Sequence, residues 1–98
     1  MTKHTDIERT QIMAIRRLAS FHRKRVLEIG CGDGRFTREI AREARLVYAS
    51  DPDEIEMKKA IAALPPELAS IVTFQTAACA DLDVDPCSID LVFFSWSL

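Results

Sequence analysis

The feature that most constrains this 98-residue chain is the run of residues 26–34, Val-Leu-Glu-Ile-Gly-Cys-Gly-Asp-Gly. A short apolar segment carrying one acid is followed by three glycines at alternate positions, and an amphipathic segment then begins at Arg35. This order is typical of a buried strand, a tight glycine turn and a helix start, with which α/β sheets build nucleotide pockets. We expect one glycine to allow the sharp turn, one to let a ligand approach the backbone, and one to pack the helix against the strand.

The spacing of the glycines indicates which of two kinds of nucleotide ligand the turn would bind. A dinucleotide-binding turn has its third glycine three residues after the second, and Arg35 occupies that position here. The third glycine is Gly34 instead, which gives the pattern acid-x-Gly-x-Gly-x-Gly starting at Glu28. This pattern resembles motif I of the class I (Rossmann-like) S-adenosylmethionine-dependent methyltransferases. The cofactor of that family has no phosphate, so its pocket requires bare backbone and carboxylates rather than amides that hold an anion.

The resemblance implies that the glycine turn holds the methionine end of the cofactor. The residues assigned to it are Glu28, Gly30, Cys31, Gly32 and Gly34. The alternative is an ordinary strand-to-helix turn without a ligand. The acid argues against that alternative, because a carboxylate in an apolar strand is costly unless it gains hydrogen bonds. Near the end of the strand, Glu28 can accept such bonds from the amides of the turn.

Strands and helices alternate along the chain. Periodic apolar residues and turn signals predict helices at about Ile7–Phe21, Arg35–Ala44 and Asp53–Leu64, and strands at about Arg25–Ile29, Leu46–Ser50, Ile71–Gln75 and Asp90–Phe94. This alternation indicates an α/β fold with a parallel sheet. The resemblance implies a Rossmann-like three-layer sandwich with strand order 3-2-1-4, built as a single domain over residues 1–98. Since family members continue through three more strands, we expect a domain truncated after strand four. It is either a truncated product or fragment, or else a subunit whose partner or second copy covers the apolar edge of strand four.

A second candidate position is Asp51, which follows strand two seventeen positions after Gly34. Neighbouring parallel strands end at the same edge of the sheet, so this carboxylate faces the glycine turn and can accept both ribose hydroxyls. The resemblance assigns the equivalent acid the same role, and Pro52 is included in the site. The alternative is that Asp51 caps the following helix, and both roles can coexist.

The third candidate segment is residues 77–82, Ala-Ala-Cys-Ala-Asp-Leu. Members of the family often bind the adenine amine through an aspartate at what is Ala78 here, so this chain departs from the pattern. Either Asp81 replaces that aspartate, or the adenine is bound by backbone groups near Cys79 and Ala80. A solvated loop carboxylate is an equally simple interpretation of Asp81.

Ser95, Trp96 and Ser97 follow strand four, where the resembling family lines its methyl-transfer site. Trp96 could form a wall beside the sulfonium, because a cation next to an aromatic face gains about 0.5–2 kcal/mol. It could equally belong to the core. No residue is assigned as a catalytic base.

Composition and charge indicate which partners and which cellular location to expect. With 13 basic and 15 acidic residues the net charge is −2, which favours a small-molecule acceptor over nucleic acid. A basic group near the end of the first predicted helix is interpreted as a solvated helix terminus; it comprises Arg16, Arg17, His22, Arg23, Lys24 and Arg25. The chain shows no membrane span, no signal peptide and no metal-binding spacing among its three cysteines. We therefore expect a cytoplasmic protein with free thiols and no metal.

The sequence thus favours an enzyme that transfers a methyl group from S-adenosylmethionine to a small molecule. Two alternatives remain. A cofactor-binding module without catalysis would bind the cofactor but methylate no acceptor. A nicotinamide-dependent oxidoreductase would bind a dinucleotide and not S-adenosylhomocysteine, and Arg35 disfavours it.

Overall fold

The computed structural model of the protein describes residues 20–95. These residues form a parallel four-stranded sheet in the order β3-β2-β1-β4. The strands are β1 (Arg25–Ile29), β2 (Leu46–Asp51), β3 (Val72–Thr76) and β4 (Leu91–Phe94). Helix α1 (Arg35–Ala41) follows β1, helix α2 (Glu54–Ala63) follows β2, and short 3-10 turns lie at Pro66–Leu68, Cys79–Asp81 and Pro86–Ser88.

The predicted fold class and strand order are confirmed, and all four strands lie within one residue of their expected bounds. Helix α1 ends three residues earlier than predicted, because the chain turns at Arg42 and the carbonyl of Glu43 then accepts the amide of Arg23 at 2.8 Å. The helix predicted at Ile7–Phe21 lies outside the described residues, except for its last two positions. Those two positions are not helical.

One face of the sheet carries both helices and the core. Side chains alternate along each strand, so Val26 and Glu28 of β1 share this face with Val47 and Ala49 of β2. The hydrophobic core consists of Phe21, Val26, Cys31, Ile40, Ala41, Ala44, Val47, Ala49, Met57, Leu68 and Val72. The ring of Phe93 joins it through edge contacts with Phe21 and Phe36 at centroid distances of 5.8 and 6.0 Å.

The opposite face carries no α-helix within residues 20–95. It is lined by Leu27, Tyr48 and Val92, and the loop after β3 lies over part of it, forming two clefts of about 280 and 270 Å³ that share Leu27, Leu82 and Val84. Val92 and Phe94 are 47% and 46% exposed. The helical layer expected on this side of a three-layer sandwich is therefore not among the described residues.

Helix α2 begins at a side-chain cap. The carboxylate of Asp53 accepts the amides of Ile55 and Glu56 at 2.9 and 3.2 Å, which satisfies two N–H groups that have no partner inside the helix. Leu64 is extended, as expected before Pro65, so the helix ends there. Within the part of the chain that the structure describes, neither helix has the length and apolar character to cross a membrane.

Candidate functional site

A cleft of about 330 Å³ opens where β1 and β2 end and the chain leaves β3. It is lined by Ile29, Gly30, Asp51, Pro52, Ala77, Ala78 and Cys79. The carboxyl ends of parallel strands are the usual ligand-binding edge of an open α/β sheet, and the volume falls within the usual range of about 300–1,000 Å³ for small-molecule sites. The glycine turn and Asp51, which the sequence places far apart, therefore meet at one site.

The glycine turn is tied to β2 by backbone hydrogen bonds. The amides of Gly30 and Cys31 both donate to the carbonyl of Ser50, at 2.8 and 2.9 Å. The amide of Gly34 donates to the carbonyl of Cys31 at 3.0 Å, which closes the turn immediately before α1. The backbone of the turn therefore has a fixed position relative to the end of β2.

Two of the glycines meet different surroundings. Gly32 has φ +55°, and a Cβ built there would have no neighbour within 4 Å, so its backbone lies bare beside open space. Gly34 has φ +85°, and its Cβ would lie 3.1 Å from the Cβ of Ala60. The expectation that one of the glycines packs a helix against a strand stays a prediction, because the contact at Gly34 is with a second helix. Gly34 lets the start of α1 approach the neighbouring helix α2.

Asp51 joins the glycine turn to the start of α2. Its Oδ2 accepts the amide of Gly32 at 2.9 Å, and its Oδ1 accepts the amide of Asp53 at 2.8 Å. The side chain that caps α2 is Asp53, so the interpretation of Asp51 as the helix cap is wrong. Each carboxylate oxygen can accept more than one hydrogen bond, so Asp51 retains acceptor capacity toward the cleft that it lines.

Glu28 is the largest fully buried side chain among the described residues. The hydroxyl of Thr37 donates to its Oε1, and the hydroxyl of Ser95 donates to its Oε2. The hydroxyl of Ser50 donates to the backbone carbonyl of Glu28 at 3.2 Å. The carboxylate therefore gains hydrogen bonds as expected, but from the hydroxyls of two other segments, α1 and the residue after β4, and not from the amides of the turn.

Burial raises the pKa of Glu28 to about 6, although the bonds from Ser95 and Thr37 lower it and the nearby charge of Asp51 raises it. Because the pKa in the folded state lies above the usual value of 4.5, the folded protein binds this proton more tightly than the unfolded chain. The stability gained from binding this proton more tightly is fully present below about pH 4.5 and is lost as the pH rises through about 6. At neutral pH the protein therefore keeps a buried charge that opposes folding.

Glu28→Gln is expected to remove this pH dependence. The stability difference between the variant and the wild-type chain should grow in favour of the variant by up to about 2 kcal/mol between pH values near 4.5 and near 7.5. Urea unfolding at both pH values measures it, with the exposed Glu67→Gln as the control for removing one carboxylate. A difference that is independent of pH would contradict the account of Glu28 as a titrating buried acid.

The remaining predicted site residues divide into two groups. Pro52 and Cys79 line the cleft together with Ala78, the position at which the resembling family often has an aspartate. Ala80 and Asp81 are exposed in the 3-10 turn and are not among the lining residues. Cys31 is buried, and its burial raises the pKa of the thiol to about 12, so it is no nucleophile at neutral pH.

Residues Trp96 and Ser97 lie outside the described residues, so their predicted part in the methyl-transfer site stays a prediction. Thr37 was missed by sequence reasoning, and Ser95 was noted only for its place after strand four. The available signal was the buried acid itself, which requires donors from neighbouring segments. Within residues 20–95, no group of three or more potential ligand side chains is placed to hold a metal ion.

Comparison with known proteins identifies the family. Residues 26–98, most of the chain, match the family model described as "Methyltransferase domain". The chain belongs to the class I S-adenosylmethionine-dependent methyltransferases. The predicted family is thus confirmed, as is S-adenosylmethionine as its cofactor, and the oxidoreductase alternative loses its support.

Curated relatives of this methyltransferase-like chain include phosphoethanolamine N-methyltransferases of plants. The chain is 38% identical over 93 residues to phosphoethanolamine N-methyltransferase 1 of Triticum aestivum and 33% identical over 91 residues to phosphoethanolamine N-methyltransferase 1 of Zea mays. Each alignment covers 93% of this chain and 18% of the relative. The chain therefore spans about a fifth of the length of these relatives.

Solved structures show the same fold. Phosphoethanolamine N-methyltransferase 1 of Haemonchus contortus, determined with phosphoethanolamine and S-adenosylhomocysteine, has a TM-score of 0.76 and 30% identity over 92% of this chain and 19% of that one. Magnesium protoporphyrin IX methyltransferase of Synechocystis PCC 6803, determined with S-adenosylmethionine, has a TM-score of 0.71 and 25% identity over 93% of this chain and 43% of that one.

The residues that line the cleft, together with Gly32, which is hydrogen-bonded to Asp51, fit the family's cofactor. Gly32 presents bare backbone to open space, and Asp51 carries a carboxylate with free acceptor capacity beside it. Ala77 and Ala78 add small apolar side chains to the lining. A ligand with a cationic group, a ribose and a flat base matches this combination of negative charge, acceptors and apolar surface.

Proposed function

We propose that this chain binds S-adenosylmethionine in the cleft at the carboxyl ends of β1 and β2 and acts in methyl transfer to a small molecule. The observation that carries the proposal is the hydrogen bond from the amide of Gly32 to Oδ2 of Asp51, at 2.9 Å. It sets an open stretch of backbone and a carboxylate side by side at the ligand-binding edge of the sheet.

Each part of the cofactor has assigned residues. The methionine end is assigned to the turn of Gly30, Cys31, Gly32 and Gly34, with the charge of Glu28 beneath it. The ribose is assigned to Asp51, with Pro52 beside it, because a carboxylate can accept both ribose hydroxyls. The adenine is assigned to the segment of Ala78, Cys79, Ala80 and Asp81, of which Ala78 and Cys79 line the cleft.

S-adenosylmethionine supplies a methyl group already activated by its sulfonium. The protein therefore contributes mainly orientation of the reacting groups and exclusion of water. We propose phosphoethanolamine as the first acceptor to examine, because relatives at 38% and 33% identity are phosphoethanolamine N-methyltransferases. We further infer a cytoplasmic location from the reduced cysteines that the sequence indicates.

A second candidate function is cofactor binding without catalysis, in a unit that requires a partner. One observation favours it. Val92 and Phe94 leave β4 with an exposed apolar surface. A further polypeptide covering β4 would then supply the acceptor pocket.

Transfer of radiolabelled methyl groups from S-adenosylmethionine to phosphoethanolamine distinguishes the two functions. We expect label on phosphoethanolamine and much less on ethanolamine, which lacks the phosphate. A chain that binds S-adenosylhomocysteine but transfers label neither to phosphoethanolamine nor to other small amines would contradict catalysis by this chain. That result would support the cofactor-binding unit.

A further inference from the structure

We propose that Thr37 and Ser95 are positioning residues for the cofactor turn. Their hydroxyls hold the two oxygens of Glu28 and thereby fix the segment after β4 against the strand that leads into the turn. The inference rests on the proposed function, since the turn is the assigned site of the methionine end. We name this arrangement of Glu28, Thr37 and Ser95 the carboxylate clamp.

The clamp joins three segments in the interior of the protein. Glu28 lies on β1, Thr37 on α1 and Ser95 immediately after β4, and their exposed fractions are 0%, 0% and 6%. Each carboxylate oxygen receives one hydroxyl donor. Within residues 20–95, every buried side-chain nitrogen or oxygen has a hydrogen-bond partner, so the hydroxyls and the carboxylate satisfy one another.

Ser95 lies immediately after β4, so the clamp helps to hold the end of this strand against β1. This strand pairs only with β1 in the described sheet. At its start, Arg25 and Asp90 form a two-point ion pair with both contacts at 3.1 Å. At its end, the amide of Ser95 donates to the carbonyl of Ile29 at 2.9 Å, and its hydroxyl reaches Glu28. Side chains therefore secure β4 at both ends.

The chemistry of the clamp favours a charged Glu28. Two hydroxyls can donate to a carboxylate at once, whereas a protonated carboxyl group must itself donate through one oxygen. Among residues 20–95, the charge of Asp51 on β2 raises the pKa of Glu28. Besides burial, the charges of Glu28, Asp51 and Asp33 raise the pKa of the Cys31 thiol. Glu28 lies two residues before Gly30, so its buried negative charge would attract a cationic group bound at the turn.

This arrangement explains why a residue that opposes folding at neutral pH occupies the strand. Glu28 has no exposed surface, so it does not touch a ligand in the cleft. Its charge acts on the ligand electrostatically, across the backbone of the turn. Thr37 and Ser95 keep that charge in place and keep it ionised. Loss of either hydroxyl should therefore weaken cofactor binding in a way that depends on pH.

The test uses Thr37→Val and Ser95→Ala, with Thr37→Ser and Ser95→Thr as variants that retain the hydroxyl. The affinity for S-adenosylhomocysteine is measured by calorimetry from about pH 5 to about pH 8, and the unfolding temperature of every variant is recorded. For the wild-type chain we expect affinity to fall as the pH drops through about 6. Each hydroxyl-deleting variant should bind about three- to tenfold more weakly at neutral pH.

The pH profile separates positioning from a general effect on folding. The midpoint of the affinity change should move to higher pH in Thr37→Val and Ser95→Ala, because the lost hydroxyl bond had lowered the pKa of Glu28. The conservative variants should restore both affinity and midpoint. Variants that bind with the wild-type profile would overturn the clamp alone, and absence of binding by the wild-type chain would overturn the proposed function itself.

Discussion

Gly34→Ala is expected to lower the free energy of unfolding by about 3 kcal/mol, which is a large fraction of the stability of a small domain. Two effects add at this position. A residue with a Cβ at φ +85° is strained by about 1–2 kcal/mol. The new Cβ would also lie 3.1 Å from the Cβ and 3.3 Å from the Cα of Ala60, so α1 and α2 must move apart.

Gly32→Ala is the matched control for this effect. It also places a Cβ at positive φ, but nothing lies within 4 Å of that atom. Gly32→Ala should therefore lower the free energy of unfolding only by the backbone strain, about 1–2 kcal/mol. Urea unfolding of both variants separates backbone strain from helix packing, and equal losses would contradict the contact between α1 and α2.

The contact can also be tested from its other side. Ala60→Gly costs about 1 kcal/mol by itself, because glycine is unfavourable inside a helix. It removes the side-chain atom that the new Cβ meets, so Gly34→Ala should be less costly in the Ala60→Gly background than in the wild-type chain. Additive losses in the double variant would show that the two positions do not interact.

Asp51→Asn is expected to weaken binding of S-adenosylhomocysteine by about ten- to a hundredfold. The carboxylate now accepts the amides of Gly32 and Asp53 with different oxygens. Asparagine has one carbonyl oxygen, so one of these amides would face an NH₂ group and lose its acceptor. The variant also removes the negative charge assigned to the ribose hydroxyls.

Asp53→Ala is the control for Asp51→Asn. It removes the cap of α2, for which about 1 kcal/mol of stability is expected to be lost, but it keeps the carboxylate of Asp51 and the two backbone amides that donate to it. Calorimetric titration of both variants should show a large loss of affinity only for Asp51→Asn. A similar loss for Asp53→Ala would mean that the start of α2, and not the carboxylate of Asp51, controls the site.

The sheet could be predicted well because local signals and tertiary structure agree in it. Residues 25–29 and 46–51 are short apolar runs bounded by turn signals, and both become buried strands. Their order could be inferred only through the resemblance, since hydrophobic periodicity does not say which strands are neighbours. The glycine turn and Asp51 were found because their residue types are tied to backbone geometry and ligand chemistry.

The rest of the site depends on contacts between distant residues. Ser95 lies 67 positions from Glu28, and nothing in the local sequence links a serine after β4 to an acid on β1. The contact between Gly34 and Ala60 was not predicted for the same reason, because the approach of α1 to α2 is a property of helix packing. The loop after β3 has no periodic pattern, so the placement of Ala78 and Cys79 in the cleft required the structure.

Calorimetric titration of the chain with S-adenosylhomocysteine, with a nicotinamide dinucleotide as the control ligand, tests directly whether the cleft binds the methyltransferase cofactor. We expect saturable binding of S-adenosylhomocysteine at one site, and no binding of the dinucleotide, because Arg35 stands where a dinucleotide turn has glycine. Absence of S-adenosylhomocysteine binding by a chain that circular dichroism shows to be folded would contradict the assignment of this cleft.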